Sequence, residues 1–577
     1  RQPAPYAVAF RKISHILNLY SYMVLPYSQA NGNDVLVVVR MDSVRIEQGK
    51  GLRAGAIGLL SSVVIAVSST APAYSLAATL GLVVAIVGVH SPGTLIVSFL
   101  PMLCIAYAFR ELNKVDPDCG TTFTWTTRAF GPWAGWLGGW GIIAADVIVM
   151  ASLSQIAGHY ALLLVGADGA ASSTLWVTIA GVVFIAGLTW ICYRGIEVSA
   201  RLQQALLAIE LVTLGIFAVV AFVKAGTGHA LPGAGHVSAA WLSPWTGSFR
   251  GLADSFLLAV FIYWGWDCAV SVNEETKDRA RTPGRAAVTS TVLLVAVFAV
   301  VAVAALVFAG PAFLAAHSDN VLGAVSTLVL GSTAGKLLIL CVLTSATAST
   351  QTTIMPTARA VLAMAAHRAL PRAFARMHPR YLTPTVATVA MGAVSAVFFV
   401  VLTLTSRSVL ADSAASVGLL IAFYYGLTGF ACVWFFRRDL LGSVRAFVFK
   451  GLLPGLGGLA LLAAFILSIA SYWPAASSYS SFDGIGGVFL IGAGSLLAGV
   501  ALMLAARRWL PAFFTTGTLP PLSAAADTGA SSAAPAPLAP AVAAASAVAA
   551  VTAGATVTAG ATAAAAAVPA GAVLDPA

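Results

Sequence analysis

Carboxylates stand inside long apolar runs of this sequence: Asp146 in Ile142-Ile-Ala-Ala-Asp-Val, Glu210 in Leu206-Leu-Ala-Ile-Glu-Leu-Val, and Asp267 in Phe261-Ile-Tyr-Trp-Gly-Trp-Asp-Cys. A carboxylate at the centre of a membrane helix costs about 2.5–3.5 kcal/mol on insertion scales, so such groups face protein or a watery cavity and not lipid. Asp146, with Met150 one turn on sharing its face, is a candidate for substrate or proton contact, or else a buried acid bonded to a neighbouring helix. Asp267 either pairs with a cationic substrate or accepts hydrogen bonds that hold its helix in shape. A buried Glu210 can load and release a proton; with nearby hydroxyls it is equally a set of hard oxygen ligands for sodium.

Two of the apolar runs carry their own interruptions. The first reads Val63-Val-Ile-Ala-Val-Ser-Ser-Thr-Ala-Pro-Ala-Tyr-Ser. Pro72 removes a backbone donor and clashes one turn back, which frees carbonyls near Ser68. The second places Gly265 between Trp264 and Trp266, next to Asp267. Half-helix N-termini attract a carboxylate, while freed carbonyls and half-helix C-termini attract an ammonium or a cation. A zwitterion suits such a site, although both interruptions also read singly as kinks that membrane helices tolerate.

The elements that must position these groups follow from composition. Of 577 residues 59% are hydrophobic and only 9% charged, against roughly 25% charged in a soluble domain. Apolar stretches of helix-spanning length are expected at 54–87, 92–112, 133–165, 174–193, 202–223, 250–273, 286–310, 334–363, 384–404, 409–436, 447–472 and 484–506. The fold class is therefore an all-α membrane protein of twelve transmembrane helices. Interruptions in helices 1 and 6, at matching places of two five-helix halves, point to an inverted repeat with discontinuous helices. A membrane β-barrel is excluded, because runs such as 295–307 are apolar on every side and do not alternate.

The formal charge of +10 does not call for nucleic acid. With both termini in the cytoplasm, all of the 31 Lys and Arg except Lys224, Arg250, Lys336 and Arg407 fall on the cytoplasmic side, as the positive-inside rule requires of a multi-pass cell-membrane protein. Residues 1–53 read as a poorly ordered cytoplasmic segment in which Asn31-Gly-Asn-Asp is a turn signal and Met41 a plausible start. Residues 54–509 form the membrane domain. Residues 510–577 are an Ala/Pro-rich tail expected to be disordered; its run 538–568 lacks the Leu, Ile and Phe that drive insertion. Cys104, Cys119, Cys192, Cys268, Cys341 and Cys432 form no CxxC pair and read as packing residues, with no metal and no cofactor expected. There is no HExxH and no GxxxxGK[ST], and the histidines are scattered, so an enzyme is not expected.

From about residue 55 to 509 the chain resembles amino acid permeases of the amino acid–polyamine–organocation superfamily. Three stretches carry the resemblance. One is Arg110-Glu-Leu-Asn with Pro117-Asp-Cys-Gly-Thr-Thr-Phe-Thr-Trp and Ala129-Phe-Gly-Pro-Trp, similar to the loop ahead of helix 3. Another is 261–267 running into Asn273-Glu-Glu-Thr-Lys-Asp and Pro283-Gly-Arg, and the last is the Ser/Thr-rich helix at 344–353 with Arg359.

The resemblance implies a secondary active amino acid transporter, proton-coupled or an exchanger, working by alternating access. A polyamine or organic amine permease, or a non-transporting sensor on the same scaffold, are the alternatives. It implies substrate contacts around Ser68, Ser69, Thr70 and Ala71 and around Ile262, Tyr263, Trp264 and Gly265. Trp264 and Trp266 would stack on or cap the substrate. Several sodium-independent relatives place a lysine where this chain has Glu210, beside Thr347, Ser349 and Thr350 of helix 8. The family often has a Gly-rich break in helix 1, whereas this chain has Ser68, Ser69, Thr70, Ala71 and Pro72. At the cytoplasmic end, Glu274 and Glu275 are expected either to gate with Arg359 or Arg128, or to be a solvated helix end.

Overall fold

The computed structural model describes residues 22–28, 34–40, 50–245, 249–318, 321–405, 407–515, 519 and 567–569, a few of them by backbone alone. They fall into two units, one within residues 50–524 and one made from the terminal segments. In the terminal unit, β1 (Tyr22–Ser28) pairs antiparallel with β2 (Asp34–Arg40), Tyr22 opposite Arg40, and Val35 to Val37 pair with Ala567 to Pro569. The β-branched run of β2 favours strand, where the sequence reading expected little regular structure. The turn residues 31–33 and Met41 lie outside the described residues, as does all of the 538–568 run except Ala567 and Val568.

Among the described residues, ten helical segments of the larger unit are long and apolar enough to cross a membrane. The first, Leu59–Val115, has 57 residues, about 85 Å if it were one straight helix and nearly three bilayer cores. It is instead α1 (Leu59–Thr70), α2 (Pro72–Val87), a 3₁₀ turn at Gly88–His90 and α3 (Ser91–Val115). The expected spans 1 and 2 thus lie in one apolar segment. The expected span 6 is cut short: α8 ends at Phe261 (Phe249–Phe261) and only the single turn of α9 (Cys268–Ser271) follows. Between these come α4 (Thr122–Phe130), α5 (Pro132–Leu164), α6 (Thr174–Arg194) and α7 (Ile196–Gly226). After them come α10 (Thr282–Ala316), α11 (Val321–Leu330), α12 (Ser332–Ala366), α13 (Thr385–Thr405), α14 (Arg407–Phe435), α15 (Leu453–Tyr472) and α16 (Gly487–Trp509). Proline at the first turn of α2, α3, α5 and α10 starts each helix where its missing N–H costs nothing.

Leu60, Val183, Val212, Val219, Val397 and Leu497 point outward and are exposed. A perimeter of this kind is a liability in water and the normal state in lipid. Inside, α1, α2, α3, α5, α7, α8 and α10 share the main core, which holds Phe109, Trp125, Tyr263, Trp266, Phe298, Tyr424 and Tyr425. A second cluster joins Ile65, Met150, Ile185, Cys268, Met355 and Phe399. All six cysteines are free thiols, five of them buried.

Candidate functional site

The break between α1 and α2 can be followed bond by bond. Thr70 is the last residue of α1; Ala71 takes the left-handed conformation, φ 48° and ψ 65°, and Pro72 restarts the helix. In an unbroken helix Ala73 N–H would bond Ser69 C=O, and Tyr74 N–H would bond Thr70 C=O. Here Ala73 N–H donates to Glu210 Oε1 at 2.7 Å and Tyr74 N–H to Ser345 Oγ at 3.2 Å. The two carbonyls are met by side chains instead: Ser349 Oγ donates to Ser69 O at 2.8 Å and Ser75 Oγ to Thr70 O at 2.7 Å. The peptide groups freed in mid-helix are thus held by α7, α12 and α2.

The second break is the run 262–267, which is turn and not helix. Gly265 sits at φ 116°, where a side chain is strained, and a Cβ there would lie 2.8 Å from the Ser69 carbonyl carbon and 2.9 Å from its oxygen. The two interruptions therefore touch backbone to backbone. Any larger residue at 265 would push them apart.

Around this contact the expected residues divide. Asp267 accepts Tyr425 Oη at 2.9 Å and Tyr424 Oη at 3.2 Å, and Trp264 Nε1 donates to the same Tyr424 hydroxyl at 2.5 Å. Asp146 accepts the Thr357 hydroxyl. Both acids are nearly buried and each is held by a neutral hydroxyl. Trp266 packs edge-on against Phe109 and tilted against Tyr425, in the interior and not over an open site. Tyr263 Oη donates to Leu95 O at 3.0 Å and faces α3, and Ile262 and Met150 are core residues. Ser68 is buried, with a hydroxyl that has no partner among the described residues.

Glu210 is fully buried; Ser345 Oγ donates to its Oε1 at 2.7 Å, and its Oε2 has no partner among the described residues. Of the hydroxyls expected beside it, Ser349 reaches the break, while Thr347 and Thr350 bond their own helix at Leu343 and Ala346. The group that meets Glu210 is Ser345, which lies in the same Ser/Thr-rich stretch. Tyr424, Tyr425 and Thr357 were missed: a tyrosine or threonine in an apolar span carries no mark of its distant partner.

Two cavities open at the end where α2 finishes. One, about 510 Å³, is lined by Tyr74, Gln155, His159, Tyr160, Ser172 and Thr403 among others. The other, about 580 Å³, is lined by Tyr74, Leu82, Phe261, Leu419, Tyr472 and Tyr479 among others. Tyr74 belongs to both, and its hydroxyl is 3.3 Å from Ser152 Oγ of α5. It stands between the two cavities, just past the break.

The opposite end is closed by ion pairs. Arg359 Nε and Nη2 donate to the Glu275 carboxylate at 2.7 and 2.8 Å, both side chains 1% exposed. Arg128, the alternative partner expected for Glu274 and Glu275, pairs with Asp116. Burial lifts the Asp116 carboxyl to about 6, against the pull of that guanidinium. Glu274 takes Lys50 Nζ at 2.5 Å, and Lys50 also reaches Asp118 at 2.8 Å. Burial opposes the charges of Asp118 and Lys50 and is the largest single influence on each, but Lys50 and His367 together hold Asp118 well below the carboxylate range, and Asp118, Cys119 and Glu274 together hold Lys50 well above its ordinary value. Ile57 N–H to Glu275 O, 3.1 Å, and Lys277 N–H to Ile57 O, 2.9 Å, stitch the approach to α1 onto the chain beyond α9. Asp118, Cys119 and Glu274 bring ligand-type atoms within 4.8 Å of one another. The Lys50 ammonium binds both carboxylates, and burial with Glu274 pushes the Cys119 thiol well up, so the trio holds an ammonium and is a poor metal site.

The family described as Amino acid permease matches residues 57–483. An uncharacterised transporter of Mycobacterium tuberculosis (strain H37Rv) is 28% identical over 357 residues, 59% of this chain and 72% of the relative. The branched-chain amino acid permease BcaP of Bacillus subtilis is 24% identical over 402 residues, 66% of this chain and 80% of its own. The protein of the same description from Lactococcus lactis is 27% identical over 214 residues, 34% of this chain and 44% of its own.

Proposed function

The chain belongs to the amino acid permease family, multi-pass membrane transporters and not enzymes, and on that premise we propose that it carries a neutral, apolar amino acid across the cell membrane by proton-coupled alternating access. The observation that carries the reading is the contact of Gly265 with Ser69, which brings two interrupted segments together with their peptide groups turned sideways. A zwitterion matches peptide dipoles of both signs. Twelve crossings in two inverted five-helix halves plus two more, with both termini in the cytoplasm, accommodate that arrangement and the distribution of Lys and Arg.

A neutral substrate is favoured because Asp146 and Asp267 already have hydroxyl partners; a cationic substrate would want a free carboxylate. The relatives named as branched-chain amino acid permeases support the same choice. Glu210 is the coupling group in this reading. It touches the first free N–H of α2 and keeps one buried oxygen without a partner, so a proton arriving there acts directly on the break. Arg359 with Glu275, Glu274 with Lys50 and Arg128 with Asp116 form the inner gate, shut while the cavities beside Tyr74 face outward.

Uptake into proteoliposomes tests this reading. Leucine, isoleucine and valine should compete for one carrier while putrescine and ethanolamine do not, and an inward proton gradient should drive accumulation that Glu210→Gln uncouples. Accumulation that needs sodium and survives Glu210→Gln overturns the proton assignment; putrescine winning the competition overturns the substrate. Binding without flux makes the protein a sensor.

A further inference from the structure

The inner closure contains a cation from outside the family-matched segment. Lys50 precedes residue 57, where the match begins, yet its side chain is only 12% exposed and its ammonium lies between Asp118 and Glu274. The pocket is built to receive it. Asp118 Oδ1 accepts Gly120 N–H at 2.8 Å and Thr124 Oγ1 at 2.9 Å, which leaves Oδ2 for Lys50. Glu274 accepts Cys119 N–H at 3.1 Å, which fixes its carboxylate beside the same ammonium. One lysine thereby ties the approach to α1, the loop before α4 and the chain beyond α9 into a single knot.

Among the described residues the charges of this knot do not balance. Arg359 offsets Glu275, and Arg128 offsets Asp116. Lys50 alone faces both Asp118 and Glu274, and the Cys119 thiol is protonated. A buried negative charge is left over, which is unfavourable. The remaining titratable group is His367, just past the end of α12, with Nε2 3.5 Å from Asp118 Oδ2 and its ring 6.0 Å from that of Phe123. Arg368 beside it is exposed. A proton on His367 supplies the missing positive charge at the oxygen Lys50 already uses.

We propose that Lys50 is a positioning residue of the transport cycle, an internal cation that must leave its acidic pocket before the inner side opens, and that protonation of His367 tightens this latch. The proposal rests on the reading of this end as the inner mouth. A protonated His367 strengthens the pull on Asp118 and favours the closed state. In a proton-coupled importer this is negative feedback: each turnover acidifies the compartment whose acidity shuts the door.

The test uses the full chain in lipid nanodiscs, with spin labels on Arg285→Cys and Ala373→Cys, both exposed positions at this end, and Cys104→Ser to remove the half-buried thiol. Label-to-label distances are compared at about pH 7.5 and about pH 5.5. Acid should enrich the short-distance population. Lys50→Met should enrich the long-distance one at both pH values, His367→Gln should abolish the response to acid, and His367→Arg should hold the short distance throughout. The latch is refuted by unchanged distances in Lys50→Met. The histidine is refuted by an unaltered protein indifferent to pH, or by a response that survives His367→Gln. A response lost only in Asp116→Asn transfers the role to Asp116. Because label distances need no substrate, a failed latch is distinguishable from a failed transport assignment, which shows only as absent leucine uptake.

Discussion

The centre of the molecule and its ion-paired end both bury acids, but they satisfy them by different chemistry. At the centre, Asp146, Glu210 and Asp267 are met by Thr357, Ser345, Ala73 N–H, Tyr424 and Tyr425, all of them neutral donors. At the ion-paired end Asp116, Asp118, Glu274 and Glu275 are met by Arg128, Lys50 and Arg359. Hydrogen bonds from neutral donors to an acid are each worth about 1–3 kcal/mol net, and a polar solute can supply an equivalent donor, so a centre made of them can trade partners with it. Buried ion pairs are costly to leave half made, so an end made of them is either fully shut or fully open. One region suits selection of a solute, the other a switch.

The difference is open to direct attack. Arg359→Met should have the largest effect, stranding a Glu275 carboxylate that is 1% exposed and destabilising the protein by about 3–5 kcal/mol in thermal unfolding. Adding Glu275→Gln should recover part of that loss; no recovery would mean the pair is not the unit of closure. Asp118→Asn should cost less, roughly 2 kcal/mol, because Glu274 still holds Lys50. Its cost depends on pH. Asp118 sits below its unfolded value, so its stabilisation is present above about pH 4 and lost as pH falls through the lowered value. The melting temperatures of Asp118→Asn and the parent should differ near neutrality and converge in strong acid.

At the centre, Gly265→Ala meets both the left-handed backbone and the Ser69 carbonyl. A strain of about 1–3 kcal/mol follows, and leucine uptake should fall by at least about tenfold, with thermal stability suffering less than in Arg359→Met. Equal losses in both would erase the contrast between a solute site and a structural lock. Tyr425→Phe, which removes one of two hydroxyls on Asp267, should cost only about 1 kcal/mol. Its effect should appear in the apparent affinity for leucine more than in the melting temperature.

Much of the centre was legible in advance because its signals are local. Proline after three hydroxyl residues, and a glycine between tryptophans beside a carboxylate, are conspicuous in an apolar run, and the structure interrupts both helices there. The partners were not legible, because Ser345, Tyr424 and Tyr425 meet their acids across 135 to 158 residues of chain and are ordinary residues for a membrane helix. The ion-paired end was read as a charge cluster with two alternative partners, Arg359 and Arg128, and of these Arg359 meets Glu275 while Arg128 meets Asp116. Asp118 stood within the loop ahead of helix 3, and Asp116 and Lys50 carried no signal of their own. Charge type is visible in a sequence, but the choice of partner belongs to packing.

The stitch at Ile57 uses main-chain atoms only, so substitutions along it other than proline alter side chains without cutting the seam. Whatever displaces the foot of α1 must drag the chain beyond α9 with it. Mechanically the pair is a lever with one fulcrum, and a reporter dye fixed to either arm records the travel of both.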